Sequence, residues 1–210
     1  TDMPPSTPTR ADAAPATRQP TTRAATATRA ASSTATPLSL KKISPLPTEC
    51  SESPMGLSSQ NIIEVAYVPS GFCFNGEIDL FEKDGKLYVV QSLSDEAEFF
   101  ITDVTDPTKP FIVGAWQLNQ FTYTADVKAF KQKGKNYIVL SQQLLRGAAD
   151  LCGVVIVDVD DPAQPVLVRH YNGKNTDNVS NWCEVHTSQV SVDAKGDGAY
   201  LYLSSLARGD

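Results

Sequence analysis

Short runs of alternating apolar and polar residues recur in a fixed order along the chain from residue 77 onwards. The runs are rich in Val, Ile, Tyr and Phe, which favour β-strands, and Gly, Pro and Asp separate one run from the next. A period of two places successive side chains on opposite faces, so each run predicts a half-buried strand. No helix is indicated, and the pattern predicts an all-β chain.

Neighbouring runs form three predicted β-hairpins. In each hairpin a turn that contains Gly and Lys joins the two strands, which is typical of a tight connection. The first strands are EIDLFE (77–82), ADVKAF (125–130) and SQVSVD (188–193), and the second strands are KLYVVQ (86–91), NYIVLS (136–141) and AYLYLS (199–204).

The first two hairpins are each followed by a third strand, a proline-bracketed turn and a fourth strand. In the turns DPTKP (106–110) and DPAQP (161–165), Asp caps the turn and the two prolines fix the backbone angle φ. Four antiparallel strands in about 40 to 47 residues, repeated, have the dimensions of a β-propeller blade. A β-sandwich of short strands is the alternative fold.

The repeat predicts an apparently incomplete β-propeller over residues 47–210, preceded by a disordered tail over 1–46. The tail is rich in Thr, Ala, Pro and Ser, and cannot bury enough apolar surface to become ordered. A propeller needs about four to eight blades, so we expect further blades from a longer chain or from self-association. The predicted units are an orphan fourth strand at 62–68, blades at 77–116 and 125–171, and the start of a blade at 188–204.

One segment of the second blade, IVDVDDPAQPVLV (156–168), closely resembles the repeat for which LVIVD-repeat propellers are named. The order of ITDVTDPTKPFIVG (101–114), the second hairpin and EVHTSQVSVDAKGDGAYLYLS (184–204) resembles the bacterial choice-of-anchor B type of surface protein. The resemblance covers about 61–210. It implies a secreted or surface-anchored propeller of poorly defined activity.

Composition excludes two classes of partner. The chain has 18 Lys and Arg against 24 Asp and Glu, a net charge of -6, so it lacks the basic surface that binding to nucleic acid requires. No run approaches the roughly 18 apolar residues of a transmembrane helix. We therefore expect no nucleic acid and no transmembrane segment.

The four cysteines favour an oxidising, extracellular location. Cys50, Cys73, Cys152 and Cys183 include no Cys-x-x-Cys pair, which argues against zinc and leaves two disulfides or four free thiols. The sequon at Asn178 is compatible with secretion. We predict the pairs Cys152–Cys183 and Cys50–Cys73, although four cysteines allow three connectivities.

Two loops make one end of the predicted blades larger than the other. The loops at 142–153 and 172–187 are longer than their counterparts in the first blade, and both open on the same face. Loops on a rigid scaffold commonly form binding sites, so this face is the predicted site for a protein or glycan ligand. The candidate binding residues are Trp182, Glu184, His186 and Arg146.

The sequence offers few groups for catalysis. If residues 184–188 are extended, Glu184, His186 and Ser188 share one side and present a carboxylate and an imidazole to a ligand or metal. Asp79 and Asp126 are assigned to equivalent first-strand positions lining the channel, a pattern that Gln189 breaks. No catalytic, phosphate-binding or dinucleotide-binding motif is present, and we predict no cofactor or metal. A binding and assembly module is favoured; the alternative is a hydrolase or metal-dependent enzyme that uses Glu184 and His186.

Overall fold

The chain folds into antiparallel sheets that stack as the blades of a propeller-like, all-β structure. The computed structural model describes residues 39–48, 50, 61–94, 98–118, 122–144, 152–172 and 184–205. The predicted all-β fold is confirmed within these ranges. The strands are β1 (Lys41–Ile43), β2 (Asn75–Lys83), β3 (Lys86–Leu93), β4 (Phe99–Asp103), β5 (Phe111–Gln117), β6 (Thr122–Gln132), β7 (Lys135–Leu144), β8 (Gly153–Asp158), β9 (Val166–Tyr171), β10 (Val185–Val192) and β11 (Ala199–Ser205).

Each blade is built from strands that are consecutive in sequence. Strands β2 to β5 form blade 1, β6 to β9 form blade 2, and β10 and β11 form a separate hairpin. The first strands β2, β6 and β10 contact one another in that order. These units extend the predicted ones by one to three residues, because the ladders continue beyond the alternating runs, except that blade 2 ends at Tyr171 as predicted.

The proline-bracketed turns have the same structure in both blades. The Asp at the end of the third strand accepts a hydrogen bond from the backbone N–H two residues later, at 3.0 Å in Asp103 and 2.9 Å in Asp158. The Asp directly before the first proline of each turn, Asp106 or Asp161, accepts a similar bond at 3.0 Å. These carboxylates satisfy backbone donors that the turn would otherwise leave unpaired. The shared motif is therefore structural.

Apolar packing between neighbouring blades forms the core. We call the face of a blade turned toward the next blade its leading face, and the opposite face its trailing face. The leading face of blade 1 packs on the trailing face of blade 2, and the leading face of blade 2 packs on the hairpin. The first interface buries Tyr88, Val90, Phe99 and Ile101 against Val127, Ile138, Leu140 and Val155, and the second packs Val139 and Val154 with Val185, Val190 and Leu201.

Residues 39–48, 50 and 61–74, which we call the N-terminal arm, cover part of blade 1. Strand β1 pairs antiparallel with β5, and residues 64–68 line a cavity of about 350 Å³ over the trailing face of β3 and β4. The predicted Cys50–Cys73 disulfide ties the two parts of the arm together.

Two predicted boundaries are wrong in this region. Residues 41–43, assigned to the tail over 1–46, form β1, because pairing with β5 satisfies their backbone. Residues 62–68, assigned to an orphan fourth strand, form no regular strand: a bridge at Ile62 is followed by non-repetitive structure, and the described third strands β4 and β8 are already paired on both edges. Residues 1–38 of the predicted tail lie outside the described part of the chain.

Gly114 in β5 leaves room for Lys42 of β1 beside the Trp116 ring. The ammonium of Lys42 lies 5.7 Å from the centre of the Trp116 ring, and a Cβ at Gly114 would meet Lys42 Cε and the ring at 2.9 Å. In blade 2 the register places Arg169 at the position of Gly114, and its guanidinium lies 5.3 Å from the centre of the Tyr171 ring. In blade 2 the cation on the aromatic ring thus comes from the same strand, as Arg169 on Tyr171. In blade 1 it comes from β1, as Lys42 on Trp116.

We predict that Gly114→Arg weakens the attachment of β1. The larger side chain must displace Lys42 from the indole, and overpacking of this kind costs about 1–3 kcal/mol. The cost should be smaller in a Lys42→Ala background, because the introduced arginine can then stack on Trp116 as Arg169 stacks on Tyr171. Urea unfolding of the unmodified chain, the two single variants and the double variant measures both effects. Equal costs in the two backgrounds would contradict this explanation.

Candidate functional site

The connections between the second and third strands, and between successive blades, lie at the same end of the sheets, as the register of strand ends shows. We call this the long-loop end. Residues 95–97, 119–121, 145–151 and 173–183 of these connections lie outside the described residues. The predicted site residues Arg146, Asn178, Trp182 and Cys183 fall there, so the site is built below from Glu184, His186 and their neighbours.

Each first strand contains a β-bulge near the long-loop end. The ladders shift register between Asn75 and Ile78 in β2, at Ala125 in β6 and at His186 in β10. A Cβ on Gly76 would meet Ser92 Oγ at 2.3 Å and Thr124 O of the next blade at 3.3 Å. A small residue therefore suits the bulge of blade 1, whereas the bulge of β10 carries an imidazole.

The bulge alters the predicted arrangement of Glu184, His186 and Ser188. Glu184 and Ser188 are buried, whereas His186 is exposed. An extra residue breaks the strict alternation of a strand and redirects its side chain. The prediction that the three side chains share one side through a period of two therefore fails at His186.

Gln143 anchors the imidazole from the neighbouring blade. The side chain of Gln143 is almost fully buried, and its Oε1 lies 3.3 Å from His186 Nδ1. The Tyr123 hydroxyl donates a hydrogen bond to the same oxygen. Because a carbonyl oxygen only accepts, this assignment places a proton on His186 Nδ1. In the neutral imidazole, Nε2 is then the acceptor.

Glu184 acts electrostatically on this group. Burial raises the pKa of the Tyr123 hydroxyl, and the nearby charge of Glu184 raises that pKa further. Tyr123 therefore remains a protonated donor at neutral pH. Tyr123 and Gln143 are directly opposite in the β6–β7 ladder. The site therefore brings together the phenol of Tyr123, which donates to Gln143, the carboxylate of Glu184 and the oriented imidazole of His186.

The predicted channel carboxylates connect neighbouring blades. Asp126 is buried and accepts hydrogen bonds from the Thr187 hydroxyl at 2.6 Å and the Ser188 backbone N–H at 2.9 Å. Lys128 Nζ lies 2.6 Å from its other oxygen. Asp79 accepts the backbone N–H of Ala129 at 2.8 Å. Both carboxylates therefore join one first strand to the next.

The equivalence assigned to Asp79 and Asp126 is wrong. Counted from the hairpin turns, the ladder places Asp79 opposite Val90 and its counterpart Lys128 opposite Val139. Asp126 corresponds instead to Glu77. Gln189, the third predicted channel residue, corresponds to Asp79 and Lys128, is exposed, and lines a shallow cavity of about 390 Å³ with Lys128 and Tyr202.

Cys152 anchors the start of β8 at the long-loop end. It is buried and disulfide-bonded. Its predicted partner, Cys183, lies outside the described residues. The carbonyl oxygen of Cys152 lies 3.0 Å from His170 Nε2. Because burial lowers the pKa of His170, the imidazole is neutral and donates this hydrogen bond.

Sequence reasoning missed Tyr123 and Gln143. Neither belongs to a recognisable motif, and Gln143 acts on a residue of the next blade. The available signal was their place near the ends of the strand pair that leads into the long 142–153 loop. Among the described residues, no group of three or more His, Cys, Asp or Glu side chains could hold a metal ion.

Comparison with known proteins supports the repeat. Residues 148–173 match the family model described as LVIVD repeat. The match spans β8, the DPAQP turn and β9, which are the third-to-fourth strand unit of blade 2. No curated protein and no solved structure matches the chain. The LVIVD match supports a repeat protein of the propeller type, and no helix in the described ranges is long and apolar enough to cross a membrane.

We predict that Glu184→Gln lowers the pKa of Tyr123. Removing the negative charge stabilises the phenolate relative to the phenol, while the contribution of burial remains. A pH titration of ¹³C-labelled tyrosine, followed by NMR and assigned with Tyr123→Phe, measures the shift. Glu77→Gln, on an exposed stretch of β2, is the matched control and should leave Tyr123 unchanged. An unaltered Tyr123 titration in Glu184→Gln would contradict the proposed electrostatic contact.

Proposed function

We propose that the chain is part of an extracellular or cell-surface β-propeller of the choice-of-anchor B type, acting as a binding and assembly module. Its ligand would bind at the long-loop end around His186. The observation that carries the proposal is the hydrogen bond from His186 Nδ1 to the buried Gln143, which orients an exposed imidazole at the bulge of β10. An oriented polar group on a rigid scaffold favours recognition because little entropy is lost on binding.

The chemistry of the site favours a glycan ligand. His186 Nε2 can accept a hydrogen bond from a sugar hydroxyl. The Tyr123 oxygen, whose own proton is donated to Gln143, can accept a second one nearby. Aromatic and amide side chains can fix hydroxyl-rich ligands through several directional bonds. A protein ligand is the competing possibility, and the experiment below separates the two.

Disulfide bonding supports the extracellular assignment. Cys50 and Cys73 are bonded to each other, and Cys152 is also disulfide-bonded. Such bonds persist in oxidising compartments and are rare in the reducing cytosol. The sequon at Asn178 fits the same location, and glycosylation there would add a bulky group to the long-loop end.

The alternative function is that of a propeller enzyme with Glu184 and His186 in its site. A carboxylate and an imidazole two residues apart support it, but burial of Glu184 and exposure of His186 set their environments apart. Metal analysis of the purified chain distinguishes the two functions. A stoichiometric transition metal that is lost in His186→Ala would favour the enzyme.

We predict that the chain binds glycans on a printed glycan array and that His186→Ala weakens binding at least tenfold, equivalent to about 1.4 kcal/mol. The reason is the loss of the oriented acceptor. Gln143→Ala should weaken binding as well, because it releases the imidazole without removing it. The matched control is Lys131→Ala, which changes an exposed residue near the opposite end of β6.

Titration of the strongest array ligand by calorimetry gives the dissociation constants. Absence of any glycan that binds the unmodified chain would contradict the glycan assignment and favour a protein ligand. Equal affinity of the unmodified chain and His186→Ala would contradict the site.

A further inference from the structure

Glu98 is a buried carboxylate of blade 1 that accepts hydrogen bonds from blade 2. The residue is 1% exposed and directly precedes β4. The Thr124 hydroxyl and the Gln142 amide, both fully buried, each donate a hydrogen bond of 2.7 Å to Glu98 Oε2. The backbone of Glu98 is bonded within its own blade, to the Trp116 carbonyl at 2.8 Å and the Leu93 N–H at 3.1 Å. A fixed point of blade 1 thus holds two side chains of the next blade.

Thr124 and Gln142 are adjacent in sequence to the two residues that hold His186. In the ladder between β6 and β7, Thr124 lies opposite Gln142 and Tyr123 lies opposite Gln143. Opposed residues share one face of a sheet, and successive residues lie on opposite faces. The first pair therefore faces blade 1 and the second pair faces the hairpin, as their hydrogen bonds show.

The bulge at Ala125 gives these side chains their faces. Val127 of the same strand faces blade 1 and is fully buried there. Strict alternation from Val127 would turn Thr124 toward the hairpin and Tyr123 toward blade 1. The extra residue reverses both side chains. Glu98 therefore contacts the strand pair just beyond the irregular position of its ladder.

The hydrogen bond to Glu98 satisfies only part of the Gln142 side chain. Gln142 Oε1 is buried and has no hydrogen-bond partner within the described part of the chain. An unpaired buried acceptor is unfavourable, whereas apolar groups of the same shape in place of both partners avoid this penalty. Stability alone therefore does not account for a polar pair at this interface.

We propose that Glu98 is a positioning residue for the His186 site. From blade 1 it fixes the ends of β6 and β7, and on the opposite face the same strand ends present Tyr123 and Gln143 to the imidazole. Glu98 acts through these two side chains and contacts no ligand itself. Its value for binding rests on the proposed function, whereas the state of the imidazole can be measured without a ligand.

The tautomer of His186 reports this role directly. The chain contains two histidines, so ¹⁵N-histidine labelling gives few ring-nitrogen signals in NMR spectra, and His186→Ala assigns them. At about pH 8, where an ordinary imidazole is neutral, the unmodified chain should show His186 protonated at Nδ1. Glu98→Ala releases the strand ends, so this tautomer should no longer predominate. Binding of an array ligand should weaken less than in His186→Ala, because the imidazole itself remains.

Two further variants separate positioning from a general effect of the interface. Glu98→Gln keeps an acceptor oxygen for Thr124 and Gln142, and should preserve the Nδ1–H tautomer. The matched control is Asp79→Ala, which removes another carboxylate contact from blade 1 to β6, at the N–H of Ala129. This contact lies farther along β6, so its loss should leave the tautomer unchanged.

If Glu98→Ala does not fold, Thr124→Val removes one donor while keeping the side-chain shape, and should produce the same change to a smaller extent. Unchanged signals of His170, whose imidazole is bonded to the Cys152 carbonyl, identify a folded variant. The role of Glu98 is overturned if the Nδ1–H tautomer persists in the folded variant, or if Asp79→Ala disturbs it as much. Absence of any glycan that binds the unmodified chain contradicts the proposed function instead, and the tautomer still decides the role of Glu98.

Discussion

Packing of one blade's leading face on the next blade's trailing face is the interaction on which the rest of the structure depends. A blade is apolar on both faces, so no blade is covered by its own fold. Burying a large apolar side chain stabilises by about 1.5–3 kcal/mol. The interface between blades 1 and 2 buries residues from seven of their eight strands, and Leu167 of the eighth, β9, is partly buried against them. Each blade therefore folds as a neighbour of another, as repeat proteins do.

Polar groups set how the blades align once apolar packing holds them together. Asp79 and Asp126 accept backbone N–H groups of the following first strand, and so fix its position along the interface. At the short-turn end, Lys83 of blade 1 forms an ion pair of 2.9 Å with Asp160 of blade 2. The hydrogen bond from Lys83 lowers the pKa of Asp160, so the pair is retained at neutral pH and lost as the carboxylate is protonated in acid.

The sequence predicted what depends on local pattern and failed where the result depends on neighbours. Alternation located the strands of both blades, and the Asp-Pro turns were recognisable because their hydrogen bonds are local. Asp126 lies two residues farther from its hairpin turn than Asp79 does, and alternation cannot reveal a shift of two because the side chain stays on the same face. The segment 62–68 has strand-like composition, but both described third strands are already paired on each edge, so it has no strand there to pair with. Tyr123 and Gln143 were missed because their importance comes from a residue of the next blade.

The two ends of the blades differ in where their polar side chains find hydrogen-bond partners. Short turns place each carboxylate next to backbone donors, and Asp103, Asp158 and Asp161 each accept a hydrogen bond from a backbone N–H of their own turn. At the long-loop end, the partner of His186 is Gln143, which lies across the interface between blades. Gln143 orients the imidazole of His186 through Nδ1, so that Nε2 can contact a ligand. The proposed site is therefore centred on a side chain whose partner belongs to the neighbouring blade rather than to its own turn.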